Sequence, residues 1–233
     1  MEKDLILAHD LGTTGNKATL FNNQGKLVAS SFYGYETDYL HPGWAEQDPE
    51  DWWDAFKIST IKLIRESKVD PKRIAGISFS GQMMGCLPVD RQGNPLRKAI
   101  IWADQRSIGE ARTLSEKVGE ERVYLITGHR ISPTYSVEKI AWVRRNEPDI
   151  FHKTFQVLHA KDFLRFRLTG KMATDYSDAS SMNVWDINKK EWSSEILKGL
   201  DLPGEILPEA RPSVEIAGEV HSQIAGELGL PPG

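Results

Sequence analysis

The stretch from residue 5 to residue 21 constrains this chain more than any other. An apolar run, Leu5-Ile6-Leu7-Ala8-His9, delivers Asp10, then Gly12-Thr13-Thr14-Gly15, and a second strand-like run starts at Lys17. Glycines at 12 and 15 let the backbone turn tightly and bring its N–H groups up to an anion, and the Thr13 and Thr14 hydroxyls add donors. Asp10 is then placed to hold a magnesium ion, directly or through water. Two other phosphate loops fail on context. A Walker loop needs Gly-Lys-Ser/Thr opening a helix, and here Gly15 is followed by Asn16. A dinucleotide fingerprint needs a helix after its glycines, whereas Lys17-Ala18-Thr19-Leu20-Phe21 is short, rich in strand formers and stopped by Asn22-Asn23-Gln24-Gly25. The loop therefore joins two antiparallel strands, and Lys26-Leu27-Val28-Ala29-Ser30-Ser31-Phe32 reads as a third strand of the meander. An ordinary glycine hairpin beside a solvated aspartate is the alternative that this segment leaves open.

Strand-like and helix-like segments alternate along the rest of the chain, which argues for an α/β domain rather than a bundle or a sandwich. Asp48-Pro49-Glu50-Asp51 reads as an N-cap, a first-turn proline and acids that favour a helix dipole, ahead of Trp52, Trp53, Phe56, Thr60, Leu63 and Ile64 at helical spacing. Ile74-Ala75-Gly76-Ile77-Ser78-Phe79 reads as a buried strand that opens into Ser80-Gly81-Gln82-Met83-Met84-Gly85. Strand, turn and strand follow up to Leu96, and Ile100-Ile101-Trp102 is a further extended run ending at Asp104 and Arg106. Both polar clusters fall where strands stop. Helical periodicity covers 108–118, 137–145 and 162–168, with Gly119 and Gly170 as stops, while 216–220 reads as a returning strand and 222–228 as a short helix.

Composition excludes several classes. With 233 residues, 39% hydrophobic and 27% charged, the chain can bury a sizeable core, and a net charge of −4 does not favour nucleic acid. Cys86 is the single cysteine, so there is no internal disulfide and no cysteine-cluster metal site, which fits a reducing compartment. Met1-Glu2-Lys3-Asp4 carries both charge signs and no long apolar core follows, so neither a signal peptide nor a membrane span is expected and the cytoplasm is the default. The six histidines lack ligand spacing and read as structural or surface residues.

Asp10-Leu11-Gly12-Thr13-Thr14-Gly15-Asn16-Lys17, Gly43-Trp44-Ala45-Glu46-Gln47-Asp48-Pro49 with Trp52-Trp53, Gly81-Gln82-Met83, Trp102 with Asp104 and Arg106, Lys161-Asp162, and Asp175-Tyr176-Ser177-Asp178-Ala179 occur in one order over essentially the whole chain. Together they resemble the N-terminal domain of the FGGY carbohydrate kinases, with the xylulose kinases as the most similar branch. The resemblance implies an actin-like, RNase H-like ATPase fold, a mixed sheet flanked by helices, spanning residues 1–233. It implies ATP and Mg2+ as cofactors and a carbohydrate as substrate. It also implies a C-terminal domain, absent from this chain, that completes the cleft and supplies the general base; no catalytic residue is expected here, and the isolated half is expected to be inactive.

On the same resemblance Asp10, Gly12, Thr13, Thr14, Gly15 and Lys17 hold the nucleotide phosphates, with Asp10 on the metal, and Gln82, Met83, Met84, Asp104, Arg106 and Asp178 face the sugar. Each has a plainer alternative: a solvated lysine at 17, core filling by Met83 and Met84, a helix cap and salt bridge at Asp104 and Arg106, and turn chemistry around Asp175 and Asp178. The xylulose kinases usually carry histidine where this chain has Met84, which replaces a hydrogen-bond donor by an apolar, polarisable group and puts D-xylulose itself in doubt. Trp44, Trp52 and Trp53 read as packing anchors. A non-catalytic nucleotide-binding or interaction module of the actin and heat-shock chaperone type is the competing reading, and a homo-oligomer through the exposed interdomain face is a third.

Overall fold

Alternation of apolar and polar residues pins the register of the central sheet. In β1 (Leu5–Leu11), Leu5, Leu7, His9 and Leu11 are buried while Ile6 and Asp10 are exposed on the other face. β1 pairs antiparallel with β2 (Gly15–Asn22), and β2 with β3 (Leu27–Gly34), which is the expected meander. The strand Ile74–Gly81 runs parallel to β1, so the sheet order is β3, β2, β1, Ile74–Gly81. These elements come from a computed structural model that describes residues 3–233; Met1 and Glu2 of the charged N-terminus lie outside the described residues.

Helix α1 (Pro49–Ser67) closes the inner face of the sheet. The Asp48 side chain accepts from the Glu50 N–H, Pro49 fits the first turn where no amide is needed, and Lys68 ends the helix in the left-handed region at φ 55°. Trp52, Trp53, Phe56, Thr60 and Leu63 turn inward as their spacing predicts. Phe56 stacks on Trp53 with ring centroids 5.3 Å apart, and burying each such side chain contributes about 1.5–3 kcal/mol. A second core lies among the helices Ile108–Lys117, Ser136–Asn146 and Ser194–Gly199, and it includes Cys86. Burial pushes the Cys86 thiol up to about 12, so it packs as an inert apolar group. No helix among the described residues is long and apolar enough to cross a membrane.

Two expectations need correction. The strand at 74–79 is present but not buried, since only Ile74 is enclosed. It is the last strand of the sheet, and a groove of about 750 Å³ runs along it, lined by Ile77, Phe79, Val220 and Pro231 among others. Residues 216–220 form no strand. Gly119, read as a stop, also starts a helix: at φ 93° it turns the chain from Ile108–Lys117 directly into Glu120–Thr127. That helix and the short ones Pro148–Lys153, Tyr176–Ser181 and Ser194–Gly199 are too brief to show a clear 3.6-residue period.

Candidate active site

The turn between β1 and β2 is held from below and left open above. Gly12 N–H donates to the Gly15 carbonyl at 3.0 Å. The Tyr35 hydroxyl donates to the Gly12 carbonyl, Tyr35 N–H to the Thr14 carbonyl, and Gln47 Nε2 to the Thr13 carbonyl at 2.6 Å. A Cβ on Gly15 would stand 2.4 Å from the Phe32 ring and 2.5 Å from the Tyr33 carbonyl, so only glycine lets β3 approach this closely. Beneath the turn Asn16 Nδ2 donates to His9 Nδ1 at 2.9 Å and to Ser59 Oγ at 2.8 Å. Burial lowers His9 to about 3, so the ring is neutral with its proton on Nε2. Above, the N–H groups of Thr13 and Thr14 and the Thr14 hydroxyl donate to no acceptor among the described residues. Asp10 and Lys17 sit opposite each other in the β1–β2 register, both exposed, and the Asp10 carboxylate makes neither a hydrogen bond nor an ion pair among the described residues.

The Gln82 loop lies directly beside this turn. Gln82 N–H donates to the Leu11 carbonyl at 2.8 Å, and a Cβ on Gly81 would come within 3.2 Å of that same oxygen. Gln82 Nε2 donates to Gln47 Oε1 at 2.6 Å, while Gln82 Oε1 is buried without a hydrogen-bond partner. Met83 is 39% exposed and is not core filling. Met84, half-buried, adopts φ 60°, an uncommon value for a side-chain-bearing residue. Its carbonyl accepts from Lys139 Nζ at 3.0 Å. Lys139 is wholly enclosed, and burial lowers it to about 8. Trp102 reaches over from the other side, its Nε1 donating to Thr13 Oγ1 at 2.9 Å.

Asp104, Arg106 and Asp178 have a different setting. Asp104 is fully enclosed; its Oδ2 accepts from Ala45 N–H at 2.6 Å, and the Arg106 guanidinium forks onto the same carboxylate. Arg106 also pairs with Glu46 at 2.7 Å and lies 3.7 Å over the Trp44 ring. These contacts match the salt-bridge alternative, and the helix cap belongs to Ser107 rather than Asp104. Asp178 is buried between His159 Nδ1 at 3.1 Å and Lys161 Nζ at 3.0 Å, and Lys161 also bonds Asp175 Oδ2 at 2.5 Å. Asp175 caps the helix Tyr176–Ser181, so this stretch is a helix start rather than a free turn. Donor atoms of His159, Asp162 and Asp178 come within 4.8 Å of one another. Lys161, Arg165 and Ser136 already face that trio, and burial together with the Asp178 charge pushes Asp162 up to about 6.

Sequence reasoning missed Tyr35, Gln47, Trp102 and Lys139 as parts of the site. Gln47 and Trp102 did stand inside the motifs that carried the resemblance, but nothing in their spacing says that their side chains meet at Thr13.

Residues 5–233 match the family described as "FGGY family of carbohydrate kinases, N-terminal domain". A xylulose kinase from Escherichia coli (strain K12) is 38% identical over 97% of this chain and 46% of its own length. The crystal structure of xylulose kinase from Rhodospirillum rubrum superposes with a TM-score of 0.92 at 27% identity, covering 98% of this chain and 47% of that one. Gluconate kinase from Lactobacillus acidophilus superposes with a TM-score of 0.91 at 28% identity, covering 97% and 46%. The mixed sheet with its helices is thus the actin-like ATPase fold of these kinases, and the chain spans about half the length of the relatives it matches.

Proposed function

Given that the chain belongs to the FGGY family of carbohydrate kinases and matches its N-terminal domain, we propose that it forms the phosphate- and sugar-holding half of an ATP-dependent kinase that phosphorylates a hydroxyl of a xylulose-like ketose or a polyol. The observation that carries this reading is the pair of adjacent backbone N–H groups, Thr13 and Thr14, left without acceptors among the described residues beside the Asp10 carboxylate, which has no partner among them either. Free amides at a tight turn suit phosphate oxygens, and the Thr14 hydroxyl adds a third donor. Lys17, next to Asp10 on β2, adds positive charge. Asp10 fits Mg2+ as a hard, exposed oxygen ligand with no competing cation on it, and the bound ion would neutralise charge on the phosphates.

Sugar binding falls to the Gln82 loop. Gln82 Oε1 lacks a donor and suits a sugar hydroxyl, while Met83 and Met84 offer backbone groups and soft apolar surface. In this reading Asp104, Arg106 and Asp178 shape the pocket wall through their internal pairs. Phosphoryl transfer depends chiefly on positioning and on charge stabilisation. A second domain of the full-length protein supplies the general base and closes the cleft, and the enzyme works in the cytoplasm.

The test is an ATP-coupled screen of the full-length protein over D-xylulose, glycerol, D-gluconate and further ketoses, polyols and sugar acids. Turnover of at least one is the expected result, with Gln82→Ala weakening sugar binding about tenfold. Nucleotide binding without any sugar turnover would favour the non-catalytic module instead, and turnover by the 233-residue half alone would contradict the placement of the base.

A further inference from the structure

Gln47 stands where the hairpin and the Gln82 loop meet. It is 1% exposed, and all its amide atoms are engaged: Oε1 accepts from Trp52 Nε1 at 2.9 Å and from Gln82 Nε2 at 2.6 Å, while Nε2 donates to the Thr13 carbonyl at 2.6 Å and to Thr37 Oγ1 at 2.8 Å. An indole N–H can only donate, so Trp52 fixes which end of the Gln47 amide is oxygen. The same logic fixes Gln82: its nitrogen faces Gln47, and its oxygen turns away.

Three amide groups therefore lie head to tail. The first is the Gln82 side chain, whose Oε1 has no donor. The second is the Gln47 side chain. The third is the peptide joining Thr13 to Thr14, whose carbonyl takes the Gln47 proton and whose N–H, on Thr14, has no acceptor. Both ends of the series lack partners among the described residues, the buried Gln82 Oε1 in the sugar loop and the Thr14 N–H at the phosphate turn. Polarising one amide in such a chain strengthens donation by the next.

We propose that Gln47 is a positioning residue that couples the two subsites: a sugar hydroxyl donating to Gln82 Oε1 sharpens the Thr14 N–H as a phosphate donor, and bound phosphate strengthens the grip on the sugar. This inference rests on the kinase reading above. It makes the coupling reciprocal, so sugar must raise nucleotide affinity by the same factor that nucleotide raises sugar affinity.

Gln47→Glu separates the two sides of the residue. An ionised glutamate still accepts from Trp52 and Gln82 but presents an oxygen, not a donor, to the Thr13 carbonyl; a carboxyl that burial keeps protonated would donate there instead, and the uncharged Gln47→Met is then the deciding variant. In the full-length protein, MgADP affinity is measured with and without whichever of D-xylulose, glycerol and D-gluconate the wild type turns over fastest. The wild type should show a sugar-dependent gain of about tenfold. Gln47→Glu should bring that ratio near one and keep sugar affinity in the absence of nucleotide within about threefold of wild type. If Gln47→Glu fails to fold, the uncharged Gln47→Met replaces it, with the same loss of the ratio expected. A wild-type ratio of one, or a variant that keeps the wild-type ratio, overturns the inference while turnover leaves the kinase reading standing. Absence of any turnover by the wild type sinks that reading, and the inference with it.

Discussion

The turn between β1 and β2 and the cluster beneath the helix Tyr176–Ser181 use the same kinds of residue to opposite ends. At the turn, Asp10 and Lys17 face solvent side by side without an ion pair, and two amides have no acceptor among the described residues. In the cluster, Lys161 is held by Asp175 and Asp178, and Asp178 by His159, which bonds Ser136 in turn. Charges whose partners are all internal fix the shape of a pocket, whereas donors and carboxylates left open are available to a ligand. Asp104 and Arg106 belong with the cluster, although they follow a strand end just as Gln82 does.

Removing one member of each region should break the symmetry between them. Lys161→Met leaves Asp175 and Asp178 without their cation and is expected to destabilise by about 3–5 kcal/mol in urea unfolding; a loss below about 1 kcal/mol would mean that the cluster is not structural. Acid is the next largest effect. His9 lies at about 3 in the folded state because of burial, so between its ordinary value and 3 the unfolded chain binds the extra proton. Its contribution to stability is therefore full above about pH 6.5 and falls by up to about 1.4 kcal/mol per unit as the pH drops toward 3. Nitrogen NMR should find the His9 ring neutral at pH 4.5, and a protonated ring there would refute the buried hydrogen-bond pair with Asn16.

Gly15→Ala comes third, at about 1–3 kcal/mol, because the Phe32 ring can swing aside but the Tyr33 carbonyl belongs to the paired strand. Asp10→Asn should be the mildest, within about 0.5 kcal/mol in stability, yet MgADP affinity of the full-length protein should drop about tenfold in calorimetry. Equal effects of Asp10→Asn and Lys161→Met on stability would erase the contrast.

Local sequence carried the meander, the Asp48 cap and α1, since each is set by neighbours within a few residues: glycine at tight turns, alternation by two, apolar spacing by three and four. The exposure of the strand Ile74–Gly81 was not legible, because an apolar run looks the same whether or not another strand lies beside it. Gln82 was singled out from its loop, but its direction was not, since that follows from Trp52 and Gln47, thirty and thirty-five residues away. Met83 likewise could be core or surface until the loop was placed.

By itself, then, the sequence determined that Asp10, Thr13 and Thr14 ride a glycine turn between paired strands, because turn geometry is a local property of the backbone. Only the tertiary structure decided which polar groups are free. Asp104, Arg106 and Asp178 find partners from distant segments at hydrogen-bond distance, while the Thr14 N–H and the Asp10 carboxylate find none among the described residues, and burial and partnership are properties of the packed chain rather than of any stretch of it.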